Sequence, residues 1–155
     1  MKRFWVLTVI AVLSAAGAAL AQGDPFIGTW KLNPAKAKYT AGAPPKEETV
    51  TIASKGGQDQ LTAKGTAPNG TPIAISYEVP VKGGKGKILS GGPFDGVTER
   101  VVDENTRDIT YMKDGKDMLH IHAVTSKDGK TMRLTIKGTD PDGKPLAGMS
   151  SWEKQ

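Results

Sequence analysis

The chain holds two His residues, and they stand two apart, at His120 and His122. On a strand, residues i and i+2 share a face, so both imidazoles would point the same way, together with Met118 and Val124. Two His on one face is how several zinc or copper sites begin, but such an ion takes at least one more protein ligand. Asp108, Glu99 or Asp117 would have to come near to supply it. The other face of the same strand carries Leu119, Ile121 and Ala123, which sit better inside than out. His120 and His122 are therefore weak metal candidates, and a solvent-facing or hydrogen-bonded pair is the favoured reading.

Other chemistry is thinner. Gly83-Gly84-Lys85-Gly86-Lys87 has the composition of a phosphate cradle, but not the Gly-x-x-x-x-Gly-Lys-Ser/Thr order or the helix that should follow it. Asp140-Pro141-Asp142-Gly143 has the look of a calcium loop, yet the closing acid would fall on Met149, so it reads as a turn. Asn69-Gly70-Thr71 fits a glycosylation sequon and serves here as a turn. No Gly-x-Ser-x-Gly elbow occurs and there is no Cys, which removes disulfides, thiolate metal sites and Cys nucleophiles together. Carboxylates are numerous but stand mostly in turns or beside Lys. No catalytic residue is assigned, the balance leans away from an enzyme, and no cofactor is implied.

The elements that must carry these residues begin after a leader. Residues 1–3 are a short basic start, 4–20 an apolar, Ala-rich run, and Ala19-Leu20-Ala21 a small-x-small triplet, so residues 1–21 read as a secretory signal peptide. A membrane anchor would need about 20 dominantly apolar residues, and the run here is shorter. Residues 22–155 then form one domain, not membrane-embedded once the signal is removed and expected to be a monomer in the bacterial periplasm or outside the cell. Loss of Lys2 and Arg3 with the leader lowers the formal charge from +5 to +3, too mild a basic bias to argue for nucleic acid.

Phe26-Ile27-Gly28-Thr29-Trp30-Lys31-Leu32 reads as the first strand. Residues 33–46, with Pro34, Pro44 and Pro45, read as a connection, either a plain surface loop or a lid over an entrance. Beyond them the chain alternates and breaks with regularity: Val50 and Ile52, a weaker strand around Leu61 and Ala63, then Ile73, Ile75, Tyr77 and Val79 as the cleanest period-two stripe. Residues 82–94, rich in Gly and Lys, give the least ordered reading after the leader. Asp-Gly pairs at 114, 128 and 142 recur every 14 residues, the period of a strand plus a tight turn. They delimit strands at about 97–102, 107–113, 116–126, 130–138 and 146–154. The sum is an all-β, antiparallel up-and-down barrel of about eight to ten strands, closed by pairing the first with the last, which would bring Trp30 near Trp152.

Gly28-x-Trp30 on the first strand resembles the opening of the lipocalins and fatty-acid-binding proteins. With Asn33-Pro34-Ala35-Lys36, Ala43-Pro44-Pro45-Lys46, Lys127-Asp128-Gly129-Lys130-Thr131-Met132, Asp142-Gly143-Lys144-Pro145 and the terminal Trp152-Glu153-Lys154-Gln155, the chain is similar to exported bacterial lipocalin-like domains of unknown function. The resemblance implies a barrel and an exported setting and brings no catalytic residues. If the barrel binds a small apolar or amphipathic ligand, Trp30, Ile73, Ile75, Tyr77, Val79, Leu134 and Ile136 are the expected inner wall. A filled barrel acting through its surface on a protein or cell-envelope partner is the alternative, and a metal protein or enzyme using His120 and His122 stands third.

Overall fold

The period-two alternation becomes strand along nearly the whole of the chain that the computed structural model describes, residues 23–155. The leader expected over residues 1–21 lies outside the described residues. Eleven strands follow one another: β1 (Gly28–Ala41), β2 (Glu47–Lys55), β3 (Gln58–Thr66), β4 (Pro72–Pro80), β5 (Gly84–Lys85), β6 (Lys87–Gly91), β7 (Gly96–Asp103), β8 (Thr106–Lys113), β9 (Lys116–Thr125), β10 (Thr131–Thr139) and β11 (Pro145–Lys154). All pairings are antiparallel, nearly all join consecutive strands, and β1 pairs with β11. The result is a nearly closed up-and-down barrel.

The one seam lies between β4 and β7, and the chain closes it with an economical device. Gly84 and Lys85 of β5 pair with Glu99 and Thr98 of β7, whereas Lys87 and Ile88 of β6 pair with Glu78 and Tyr77 of β4. β5 and β6 are thus a single stave that changes partner at Gly86. Eleven strands by hydrogen bonding and about ten staves by sequence describe the same barrel. The Lys- and Gly-rich stretch that reads as least ordered is in fact this seam, and its composition has a steric reason. A Cβ at Gly86 would stand 2.6 Å from the Glu78 carbonyl oxygen and 2.8 Å from Val97 Cγ1. Gly86→Val should therefore part the seam and cost about 2 kcal/mol or more, read as a lower midpoint in urea. An unchanged midpoint would show that the seam does not support the barrel.

A second expectation changes as well. Residues 33–41 are neither lid nor loop: β1 runs on to Ala41 against β11. Its ladder to β2 ends at Lys31, and its ladder to β11 is interrupted between Asn33 and Lys38. Pro34, which cannot donate to a ladder, falls in that interruption. Beyond Lys31 the strand no longer pairs with β2, so the ladder between them is missing at one end of the barrel.

The other end is shut. Leu32 pairs with Trp152 and Trp30 with Lys154, so both Trp rings enter one apolar cluster with Phe26, Val50, Ile52, Ala63, Ala123 and Met132. Trp30 is wholly buried, and its Nε1–H donates to the Phe26 carbonyl at 2.8 Å. The Lys154 ammonium donates to the Pro25 and Ile27 carbonyls at 2.9 and 2.7 Å and lies 4.9 Å from the centre of the Trp30 ring. Residues 24–27 are clasped in this way across the barrel end as a plug.

Candidate ligand cavity

In-phase side chains of ten staves face inward, and they do not fill the barrel. A cavity of about 710 Å³ remains. Its rim is formed by the turns after β1, β3, β6 and β10, represented by Pro45, Asn69, Phe94 and Asp142, all at the end away from the Trp30 plug. Below the rim lies an apolar belt of Ile75, Leu61, Ile109, Ile121, Leu134 and Ile136. Three aromatic rings stand along one side. Tyr111 stacks on Phe94 with centroids 5.0 Å apart and meets Tyr77 edge-on at 5.8 Å, arrangements that suit the ring quadrupoles. Opposite them, Tyr39 packs where Gly148 of β11 leaves room: a Cβ there would come within 2.6 Å of the Tyr39 ring.

Of the residues expected on the inner wall, Ile73, Ile75, Tyr77, Leu134 and Ile136 line the cavity. Trp30 and Val79 point inward too but are packed solid near the shut end, outside the open space. His120 and His122 are on the outer face of β9, because Leu119, Ile121 and Ala123 take the inside. His122 Nδ1 lies 2.6 Å from Asp108 Oδ1, and His120 Nδ1 lies 3.1 Å from Thr110 Oγ1. Asp108 also pairs with Arg100, and these partners hold its carboxyl below the usual carboxylate range, the His122 hydrogen bond contributing most. Among the described residues, no three His, Asp or Glu side chains gather as a metal-holding group. Glu99, one of the acids that could have served the His pair, points into the barrel and has a different task.

That task belongs to a charge cluster on the cavity floor. Arg107 of β8 is buried, and its Nη1 donates to Glu99 Oε1 at 2.7 Å and to Asp59 Oδ2 at 3.1 Å, while Nη2 pairs with Asp24 of the plug. The Phe26 ring lies 4.5 Å from the guanidinium carbon and covers it. Burial alone would lower the Arg107 pKa, but Glu99, Asp24 and Asp59 together hold it above its ordinary value. Glu99 moves up, because burial outweighs the pull of Arg107.

A further acid stands alone. Glu48 of β2 is on the cavity wall near the rim, in phase with Val50 and Ile52. Among the described residues no basic side chain comes within ion-pair distance of it. Burial pushes its carboxyl up to about 7. Burial, and then the Glu48 charge, push the Tyr39 phenol up to about 12.

None of these interior charges was singled out by motif, yet the sequence carries a signal for each. Glu48, Asp59, Glu99 and Arg107 all fall in phase with an apolar stripe: before Val50, before Leu61, after Val97 and before Ile109. A charged residue in phase with buried neighbours must be buried with a partner or face a cavity. Compared with protein families and with curated proteins, the chain matches none.

Proposed function

We propose that this protein binds a small apolar or amphipathic molecule inside its barrel. The observation that carries the reading is the cavity itself: about 710 Å³, belted by aliphatic side chains, open at one end and plugged at the other. Spaces of that size and lining are typical of sites for small organic ligands. A chain whose interior only had to be stable would gain by filling it, since each unfilled methyl-sized space costs about 1 kcal/mol. The leader-like residues 1–21 support an exported setting, where such a protein would carry or sense a molecule outside the cytoplasm.

Ile75 is the residue to test. It is half-buried on the belt, and a larger side chain there would grow into the open space. The purified protein should take up Nile red, a neutral apolar dye, with a blue shift and gain of its emission. Ile75→Trp should weaken that uptake about tenfold or more while leaving the urea midpoint within roughly 1 kcal/mol of wild type. Absence of any dye uptake by the wild-type protein, or equal uptake by the two, would sink the reading.

A further inference from the structure

The ligand's polar end can be specified more closely, on the footing that the cavity binds a ligand at all. Three features of the wall bear on it. First, the lining itself is acidic, with Glu48 and Glu99 against the guanidinium of Arg107, and Asp59 and Asp24 add two more acids against that guanidinium from behind the lining. The rim adds Asp140 and Asp142 against Lys144. Second, Arg107 is already paired, with its charge more than balanced by its neighbours. Three of its five N–H donors are engaged by three acids, and Phe26 covers one face. A fatty acid entering head-first would meet carboxylates, and like charges in a confined space repel strongly. Third, Glu48 has open cavity in front of it and, among the described residues, no cation within ion-pair distance, and aromatic rings line the same space, Tyr39 on its own side and Tyr111 and Phe94 across from it.

A carboxylate with aromatic faces nearby is the chemistry that recognises an ammonium group: the acid supplies a charge-assisted hydrogen bond, and the rings supply cation–π attraction. We propose that the barrel selects an amphipathic ligand bearing a protonated amine, which Glu48 binds near the rim while the apolar part lies along the belt beneath. Glu48 is then a residue with a purpose that packing alone does not give it. The raised carboxyl pKa fits this, since it marks an acid whose stabilising cation comes from outside the chain.

The test compares three ten-carbon probes that differ only at the polar end: decylamine, decanol and decanoate. Each displaces Nile red from the purified protein at pH 8, below its micelle concentration. Decylamine should bind about tenfold or more tightly than decanol, with decanoate weakest, and in Glu48→Gln the amine and the alcohol should bind equally. Equal binding of amine and alcohol, tighter binding of decanoate, or an amine preference that survives in Glu48→Gln would overturn the proposal and leave the cavity reading standing. Failure of all three probes and of the dye to bind would overturn both.

Discussion

Replacing Arg107 with Met should cost the fold about 3–5 kcal/mol at neutral pH, the largest loss expected from any single change on the cavity floor. The reason is what stays behind. Arg107 connects β3, β7, β8 and the plug, because its partners Asp59, Glu99 and Asp24 come from separate parts of the chain. Asp59 and Glu99 are both buried, and without the guanidinium they would face each other with no cation. Met restores most of the side-chain volume, so a cavity would explain little of the loss. The deficit should also depend on pH in a definite sense. Glu99 already lies above its ordinary pKa in the folded state, and removal of Arg107 raises it further. A folded state that holds protons the unfolded state has lost becomes less stable as pH rises, so the deficit is greatest above the ordinary carboxylate range and shrinks as pH falls through it. Urea unfolding followed by Trp fluorescence, at pH 8 and pH 5, measures both parts. The triple change Arg107→Met, Asp59→Asn, Glu99→Gln should recover much of the loss, because it removes the stranded charges with their partner. A loss below about 1 kcal/mol at pH 8 would show that the cluster is solvated and does not tie the floor together.

The fold was legible in this sequence because the staves announce themselves separately. The Ile73 to Val79 stripe, the Asp-Gly turns and the Gly28-x-Trp30 start each act over a few residues, and consecutive hairpins leave little choice of topology. Asp114, the one described non-Gly residue with positive φ, shows how local this is: with Gly115 it makes the two-residue turn between β8 and β9 that the Asp-Gly pair demands. The tetrapeptide there, Lys113-Asp114-Gly115-Lys116, occurs again at 127–130 but makes a different, longer turn, because Ser126 donates to Asp128 and accepts from the Thr131 N–H. What did not show was anything decided by partners far apart in sequence. The seam stave looks loose because Gly86 is chosen for two strands on either side of it. The long β1 looks broken because Pro34 is tolerated only where two ladders lapse together. The inner wall could be named by phase, but phase does not say which inward residues are packed solid, like Trp30 and Val79, and which border open space. That depends on where the ladders around the rim stop.

Glu48→Gln should make the protein more stable, by about 2–3 kcal/mol at pH 8 and by almost nothing at pH 4. The sign follows from the direction of the shift. An acid raised from 4.5 to about 7 on folding keeps its proton in the folded state over an interval in which the unfolded chain has released it. The folded state therefore binds more protons across that interval, and wild-type stability declines as pH rises from about 4.5 through 7, then levels off. Gln has the shape of the protonated acid and never ionises, so the variant avoids the decline. The difference between the two urea midpoints, followed from pH 4 to pH 8, isolates Glu48 from every other group that titrates. Equal stability of variant and wild type throughout would mean that cavity water solvates the carboxylate and that Glu48 carries no cost. If the difference opens as expected, the chain keeps an acid that weakens it at neutral pH, in a barrel where Arg107 shows that a buried acid can be given a cation. A residue retained against stability in that way is the mark of a site that waits for its partner from outside. In that case a bound amine should narrow the gap, stabilising wild type more at pH 8 than at pH 5 and stabilising Glu48→Gln no more than decanol does, equally at both.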